Sequence, residues 1–488
     1  MNPRILHSMI LGVFWPLGLT AAALAQPAFT PYHRQVYEIN SGLHDGRPTE
    51  TVSAFRQEVR VPRATWLRLN FADYDLGERS YLIVTSLEDG DWQRLDATGL
   101  SHWQGSSGFF NGDAVEIELH VASVDRGIFF RVKAVSFGRR DSEAGDGEPS
   151  QRELCDPNHL VDNRNYIGPI GDLREGRLIF GTSPNQIARC TTWLVSNGAL
   201  LTAGHCAPFG TAGNPAAVEF AIPLSNANGS TNFASLNDQY PVDPATIQSR
   251  TDGTRVGDDW AVFGCFPNTN TNLLPVHAQG EFFRMTRDSS PLTVRVTGYG
   301  IDNIPAGTGG TTDCAAHSNC NTNNRTLQTD SGPFENEDVQ GDSDVVIEYS
   351  VDTEAGNSGS PVYLFASTRT DELALGIHTN SGCPNGQNQG NAGTGFENDD
   401  LENAIQTFPG SNVVYADSDH AIGYASSDGT VFRPFFTVKE AVKEASSGAI
   451  ISIVKGSYTA AAGNTFTVGA DGKRMTFDAP VGSVVIGN

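Results

Sequence analysis

A chain of 488 residues is too long for one compact domain, and 39% apolar with 18% charged residues describes a globular protein. Its 52 glycines and 25 prolines favour turns and strands over long helices. The formal charge of −24 repels phosphate backbones, which excludes nucleic acid as a partner and otherwise reads as solubility.

Residues 1–25 place Arg4 and His7 ahead of an apolar run, Met9 to Leu24, that ends in Ala-Leu-Ala before Gln26. This pattern predicts a secretory leader cut after Ala25 and an extracellular or periplasmic destination. No later stretch is long and apolar enough to span a bilayer. Seven cysteines in an exported chain imply disulfides. Close histidine pairs, Cys-x-x-Cys and His-Glu-x-x-His are all missing from the sequence, so neither a metal site nor a cofactor is expected.

Residues 26–137 alternate as half-buried strands do. Leu67, Leu69 and Phe71 point one way, Arg68 and Asn70 the other, and Val115, Ile117, Leu119 and Val121 oppose Glu116, Glu118 and His120. Trp66, Trp92, Trp103, Phe109 and Phe110 supply core bulk, which predicts a β-sandwich of about eight strands acting as a pro-domain or accessory domain. Residues 138–154 are polar and carry no apolar residue beyond Ala144 and Leu154, the pattern of a linker with arginines for processing.

The chemistry lies in residues 155–410. Cys190 to Cys206 reads as an apolar strand, a turn at Ser196-Asn197-Gly198, a second apolar run and then His205, so a Cys190–Cys206 disulfide would close a hairpin around that histidine. Gly257-Asp258-Asp259-Trp260-Ala261-Val262-Phe263 carries a carboxylate into a buried strand, Asp259 or, failing that, Asp258. Gly356-Asn357-Ser358-Gly359 offers a hydroxyl beside the N–H groups of Gly356 and Ser358, two donors for an oxyanion. A serine needs a base to take its proton and a third group to orient that base. The predicted order is therefore His205, an aspartate at 258 or 259, then Ser358.

Thr202-Ala-Gly-His-Cys206, with the later Gly-Asn-Ser-Gly-Ser-Pro-Val, resembles the trypsin-like (chymotrypsin-fold) serine proteases. That resemblance implies two six-stranded barrels with the three groups in the cleft between them, and it selects Asp259, the residue directly before the apolar run. Within the family, Tyr349, Asp352-Thr353, Thr329 to Pro333 and Gly376-Ile377-His378-Thr379-Asn380 are similar to bacterial glutamyl endopeptidases, chiefly over residues 178–400. The implied activity is secreted endopeptidase cleavage after Glu or Asp, with Thr353 and His378 receiving the substrate carboxylate. Asp352, six residues before Ser358, keeps a second reading open, cleavage after Lys or Arg. A third treats the domain as an inactive adhesion scaffold. Asn357 departs from the trypsin branch, whose aspartate at that place pairs with a newly cut amino terminus.

Cys155–Cys265 and Cys314–Cys320 are further candidate bridges, with Cys383 left over. Residues 411–488 hold short apolar runs, a helical stretch at Lys439 to Ala445 and Gly456-Ser457-Tyr458, resembling the opening of a pectate-lyase-like β-helix. The expected architecture is mainly β: a β-sandwich, a double-barrel protease domain and a short β-helix-like module. The expected partner is a protein or peptide substrate, with a cell surface or polysaccharide as a further contact through the flanking domains.

Overall fold

The computed structural model describes residues 23–24, 27–139, 155, 162–183, 185–207, 216–251, 256–287, 292–302, 320–366, 372–382, 390–408, 410–420, 427–467 and 472–487. Most of the expected leader and of the linker lies outside them.

Two closed six-stranded barrels form the centre. The first runs Glu175–Ser183, Ala217–Glu219, Gln239–Arg250, Trp260–Cys265, Leu200–Thr202 and Gln186–Leu194, and the last strand pairs back onto the first. The second runs Leu373–Ser381, Pro361–Leu364, Thr293–Gly298, Gln328–Val339, Val345–Tyr349 and Asn391–Gly395, closed in the same way. Closure leaves few exposed edges, and the apolar runs of the sequence fill the interiors. Trp193, Leu201, Val218, Tyr240 and Val262 pack in one barrel, and Val294, Val296, Ile347, Tyr349 and Val362 in the other.

The N-terminal region folds as two four-stranded sheets. One holds His33–Asn40, Phe129–Arg139, Ala64–Asp75 and Phe110–Asn111; the other holds Val52–Arg60, Ala114–Val121, Tyr81–Ser86 and Trp92–Leu95. Val115, Ile117, Leu119 and Val121 face inward as their alternation predicts. Arg68 and Asn70 do not reach solvent. The chain after the Ala97–His102 helix covers them, so Arg68 Nε donates to Ser107 O at 2.9 Å and its guanidinium lies 4.4 Å from the Phe109 ring centre. Asn70 Nδ2 donates to Ser136 Oγ at 3.0 Å. A period-two pattern thus misreads a strand that is covered on both faces.

The core of the sandwich runs on into the first barrel without a break. Ile179, Ile187, Ala217, Phe233 and Leu236 of the barrel region belong to the same apolar cluster as Trp66, Phe109 and Phe110. Phe109 stacks on Phe233 with centroids 4.5 Å apart. The side chain of Gln239 serves both backbone groups of Phe109: Phe109 N donates to Oε1 at 2.9 Å and Nε2 donates to Phe109 O at 2.8 Å. Ahead of the sandwich, Ala28–Pro31 adds a strand to the open edge of Gln186–Leu194, and Ala23–Leu24 pairs with Asn380–Ser381.

The C-terminal strands stack in parallel. Val413–Ala416 pairs with Ala449–Ile453, which pairs with Met475–Asp478, while Gly456–Tyr458 pairs with Val484–Ile486. The Val438–Glu444 helix starts at an N-cap in which Thr437 Oγ1 accepts from Glu440 N and donates to Glu440 Oε2. Tyr415, Phe432, Val454 and Val481 join the core of the first barrel, and Arg284 Nε donates to Asp417 Oδ2 at 2.6 Å.

The cysteine framework needs one correction. Cys190 and Cys206 are bridged, with Cα atoms 6.4 Å apart. Cys155 is disulfide-bonded, whereas Cys265 is free, so the Cys155–Cys265 bridge is not formed. Cys155 sits on the second barrel, its N donating to Asp352 Oδ1, while Cys265 ends a strand of the first barrel. Burial, then the nearby Asp243, pushes the Cys265 thiol well above its ordinary range. Cys314 and Cys383 lie outside the described residues, and with them the test of the Cys314–Cys320 pairing and of Cys383 as the odd cysteine.

Since the sandwich and the first barrel share one core, cutting the chain between 140 and 154 is expected to leave both pieces together. Size-exclusion chromatography of the nicked protein should give one peak, resolved into two only in denaturant. Separation without denaturant would show that the shared core does not hold them.

Candidate active site

The Cys190–Cys206 hairpin supplies the histidine. The strand Leu200–Thr202 ends at Ala203, the turn Gly204–Cys206 follows, and the disulfide ties it to the neighbouring strand. Gly204 has no room for a side chain. A Cβ there would come within 1.8 Å of Arg250 O and 2.8 Å of Asp259 Oδ1.

Asp259 stands at the mouth of the strand Trp260–Cys265, 1% exposed. Its Oδ1 accepts from His205 N at 2.7 Å, and its Oδ2 lies 2.6 Å from His205 Nδ1. With the carboxylate accepting, Nδ1 carries the proton and Nε2 is left as the basic nitrogen. Asp258 is turned away. Its Oδ1 accepts from Trp260 Nε1 at 3.1 Å and from Asn398 Nδ2, and burial raises its pKa against those bonds.

Ser358 reaches the same place from the second barrel. Thr191 N donates to Ser358 O at 2.9 Å, one residue past the Cys190 end of the bridge that flanks His205. Gly359 packs so closely that a Cβ would lie 3.0 Å from Ala203 N. Ser358 Oγ and His205 Nε2 are both closed off from solvent, and neither has a hydrogen-bond partner among the described residues. The Oγ to Nε2 hydrogen bond is therefore not made in this conformation. The thiols beside His205 are spent on the disulfide, so the Cys190, His205, Cys206 cluster is no cation site.

Gly356 adopts φ +102°, and a Cβ would lie 2.7 Å from Tyr299 O. Its carbonyl turns away to accept from Thr191 Oγ1 at 2.9 Å. Asn357 organises the turn from within: Glu354 N donates to its Oδ1 and Asn357 N to Glu354 O.

His378 and Thr353 lie on adjoining walls of the second barrel, both fully buried. His378 Nδ1 lies 2.7 Å from Tyr349 Oη, and Tyr349 Oη donates to Ala392 O at 3.4 Å. Thr353 Oγ1 accepts from Asn391 Nδ2 at 2.9 Å. Asp352 is already committed. Oδ1 accepts from Cys155 N at 2.6 Å, and Oδ2 accepts from Asn163 N at 2.9 Å and Asn163 Nδ2 at 2.8 Å. Burial raises its pKa above the ordinary carboxylate value despite those donors.

The residues around this site answer to a known pattern. The Trypsin family model matches residues 179–397. The match covers both barrels and supports serine protease activity. No curated protein matches the chain in sequence. Among solved structures, a Glu endopeptidase in complex with MPD is 19% identical, covering 50% of this chain and 98% of its own at a TM-score of 0.32. The thermostable serine protease AL20 from an extremophilic microorganism is 15% identical, covering 43% and 86% at a TM-score of 0.29.

Several partners of the site had no signal in the sequence. Asn391 and Thr394 act through contacts between strands far apart in the chain, and Arg164 reaches Asn357 from the segment before the barrels; Tyr349 is marked by the family resemblance, but its bond to His378 is not. Replacing Gly356 by Ala forces a side chain into a positive-φ position and against Tyr299 O. The expected cost is about 1–3 kcal/mol of stability, read by urea denaturation. An unchanged midpoint would show that the turn relaxes freely.

Proposed function

We propose that this protein is an exported serine endopeptidase in which Ser358 attacks the peptide carbonyl, His205 takes and returns the proton, and Asp259 holds the imidazole. The observation that carries the reading is the 2.6 Å contact from His205 Nδ1 to Asp259 Oδ2, which leaves Nε2 as the basic nitrogen beside the Ser358 peptide. Attack requires Oγ to come onto Nε2, a contact that free enzymes commonly complete only when substrate binds. The N–H groups of Gly356 and Ser358 then receive the oxyanion. Collapse of the tetrahedral intermediate expels the amine, which takes the proton from Nε2, and water repeats the sequence on the acyl-enzyme.

The preferred residue before the cut is Glu or Asp. His378 Nδ1–H has a ready acceptor in Tyr349 Oη, because the Tyr349 hydroxyl donates its own hydrogen bond to Ala392 O. That chain stabilises the imidazolium a substrate carboxylate would induce. The rival preference for Lys or Arg needs Asp352 as a free anion, and three donors already occupy it. The adhesion-scaffold reading has no missing group to support it, since His205, Asp259 and Ser358 are all present.

A fluorophosphonate probe is expected to label Ser358 in the folded protein and fail on Ser358→Ala, with peptide turnover falling about 10⁴-fold or more in that variant and about 10⁴-fold in Asp259→Asn. Full turnover in Ser358→Ala would sink the hydrolase reading. On a peptide panel, cleavage should follow Glu, and Tyr349→Phe should raise KM for Glu peptides about tenfold, the value of one hydrogen bond. Cleavage confined to Lys or Arg would overturn the acidic preference alone.

A further inference from the structure

Arg164 is buried against the second barrel, and its guanidinium reaches the turn that carries Ser358. Its Nη1 donates to Asn357 Oδ1 at 3.4 Å, Nη2 donates to Ile301 O at 2.7 Å, and Nε and Nη2 form a two-pronged pair with Asp162, at 3.0 Å to Oδ1 and 2.6 Å to Oδ2. The same Asn357 Oδ1 accepts from Glu354 N at 3.1 Å, and Ser360 N donates to Asn357 O at 2.8 Å. Asn357 therefore joins both ends of the 354–360 turn, through its side chain and its backbone carbonyl, and the guanidinium is its outer anchor. Space for the contact is built in. A Cβ on Gly300 would lie 2.1 Å from Asn357 Oδ1 and 2.3 Å from Arg164 Nη1. Pairing of Asn165–Tyr166 with Gln328 and Thr329 fixes the segment on the second barrel.

We infer that Arg164 is a positioning residue for the oxyanion-binding turn, an internal cation that holds Gly356 and Ser358 in register from within the uncut chain. The inference rests on the proposed hydrolase reading. A buried cation aimed at the residue before the nucleophile does the work a newly exposed amino terminus would do, with no cut required. Neutral Asn357 suits it, because Arg164 already faces the carboxylates of Asp162, Asp302 and Glu354, and one more would be buried without compensation.

The test uses the full chain after leader removal, with intact mass confirming no cut between 138 and 163. Fluorophosphonate labelling of Ser358 in this uncut form is expected at the rate seen after deliberate nicking in that stretch. Arg164→Met should lower kcat for the best peptide about 100-fold, the size of a lost oxyanion donor, with KM within about twofold, and Arg164→Lys should restore part of it. If Arg164→Met fails to fold, Asn357→Ala, at the other end of the bond, should show the same kcat-selective loss. Labelling that appears only after nicking overturns the inference, as does a folded Arg164→Met or Asn357→Ala with unchanged kcat. Absence of labelling both before and after nicking would count against the hydrolase reading instead.

Discussion

The carboxylate of Asp259 is the point on which the rest depends. It is buried, and an isolated buried charge is costly, so its two oxygens must be satisfied at close range. Both are satisfied by one residue, through the backbone N–H and the ring of His205. The peptide of Asp259 is gripped from the other barrel, where Thr394 Oγ1 accepts from Asp259 N at 3.2 Å and lies 3.1 Å from Asp259 O. The orientation of the imidazole is thus a property of the seam between barrels. Shifting one barrel against the other would move the hydroxyl of Ser358 and the carboxylate together with their supports.

That dependence explains why the flanking regions are packed as they are. A pair of small barrels meeting along a polar cleft gains little from the cleft itself. Apolar burial beyond the two barrel interiors has to come from the outer faces. The sandwich covers the first barrel through Phe233, Ile179 and Ile187, and the C-terminal strands cover it through Tyr415 and Phe432. Asn197, in the tight turn of the histidine hairpin, donates to Ile405 O at 2.8 Å and Phe408 O at 2.9 Å, so the hairpin that positions His205 is itself tied to the chain leading into the C-terminal strands. The regions that a sequence divides by composition are joined by cores that ignore those divisions.

How much could be read in advance follows from the range of each interaction. The histidine hairpin, the Asp259 strand and the Gly356 turn are local, each coded within a few residues, and the double barrel came with the family resemblance those stretches carry. Asp352 illustrates the limit. Its spacing from Ser358 suggests a pocket anion, but a segment about 190 residues upstream takes its oxygens, and no local pattern encodes that. Arg68 looked solvent-facing because alternation reports one covered face, and the second cover comes from a loop 39 residues on. The cysteines failed in the same way: Cys155 and Cys265 each suit a bridge, yet they lie on different barrels.

The charge of the whole molecule bears on the proposed specificity. A net −24 opposes the approach of an acidic peptide, so long-range steering cannot be the source of a preference for Glu. At physiological ionic strength that field fades within about 8 Å. Discrimination must then be local, in a place where water is excluded and one donor is worth more than many distant charges. His378 meets that requirement. It is wholly buried, its Nδ1 is held by Tyr349, and the neighbouring Asp352 is occupied by Cys155 and Asn163. The segment that ties Asp352 down therefore bears on the proposed pocket as well as on the fold.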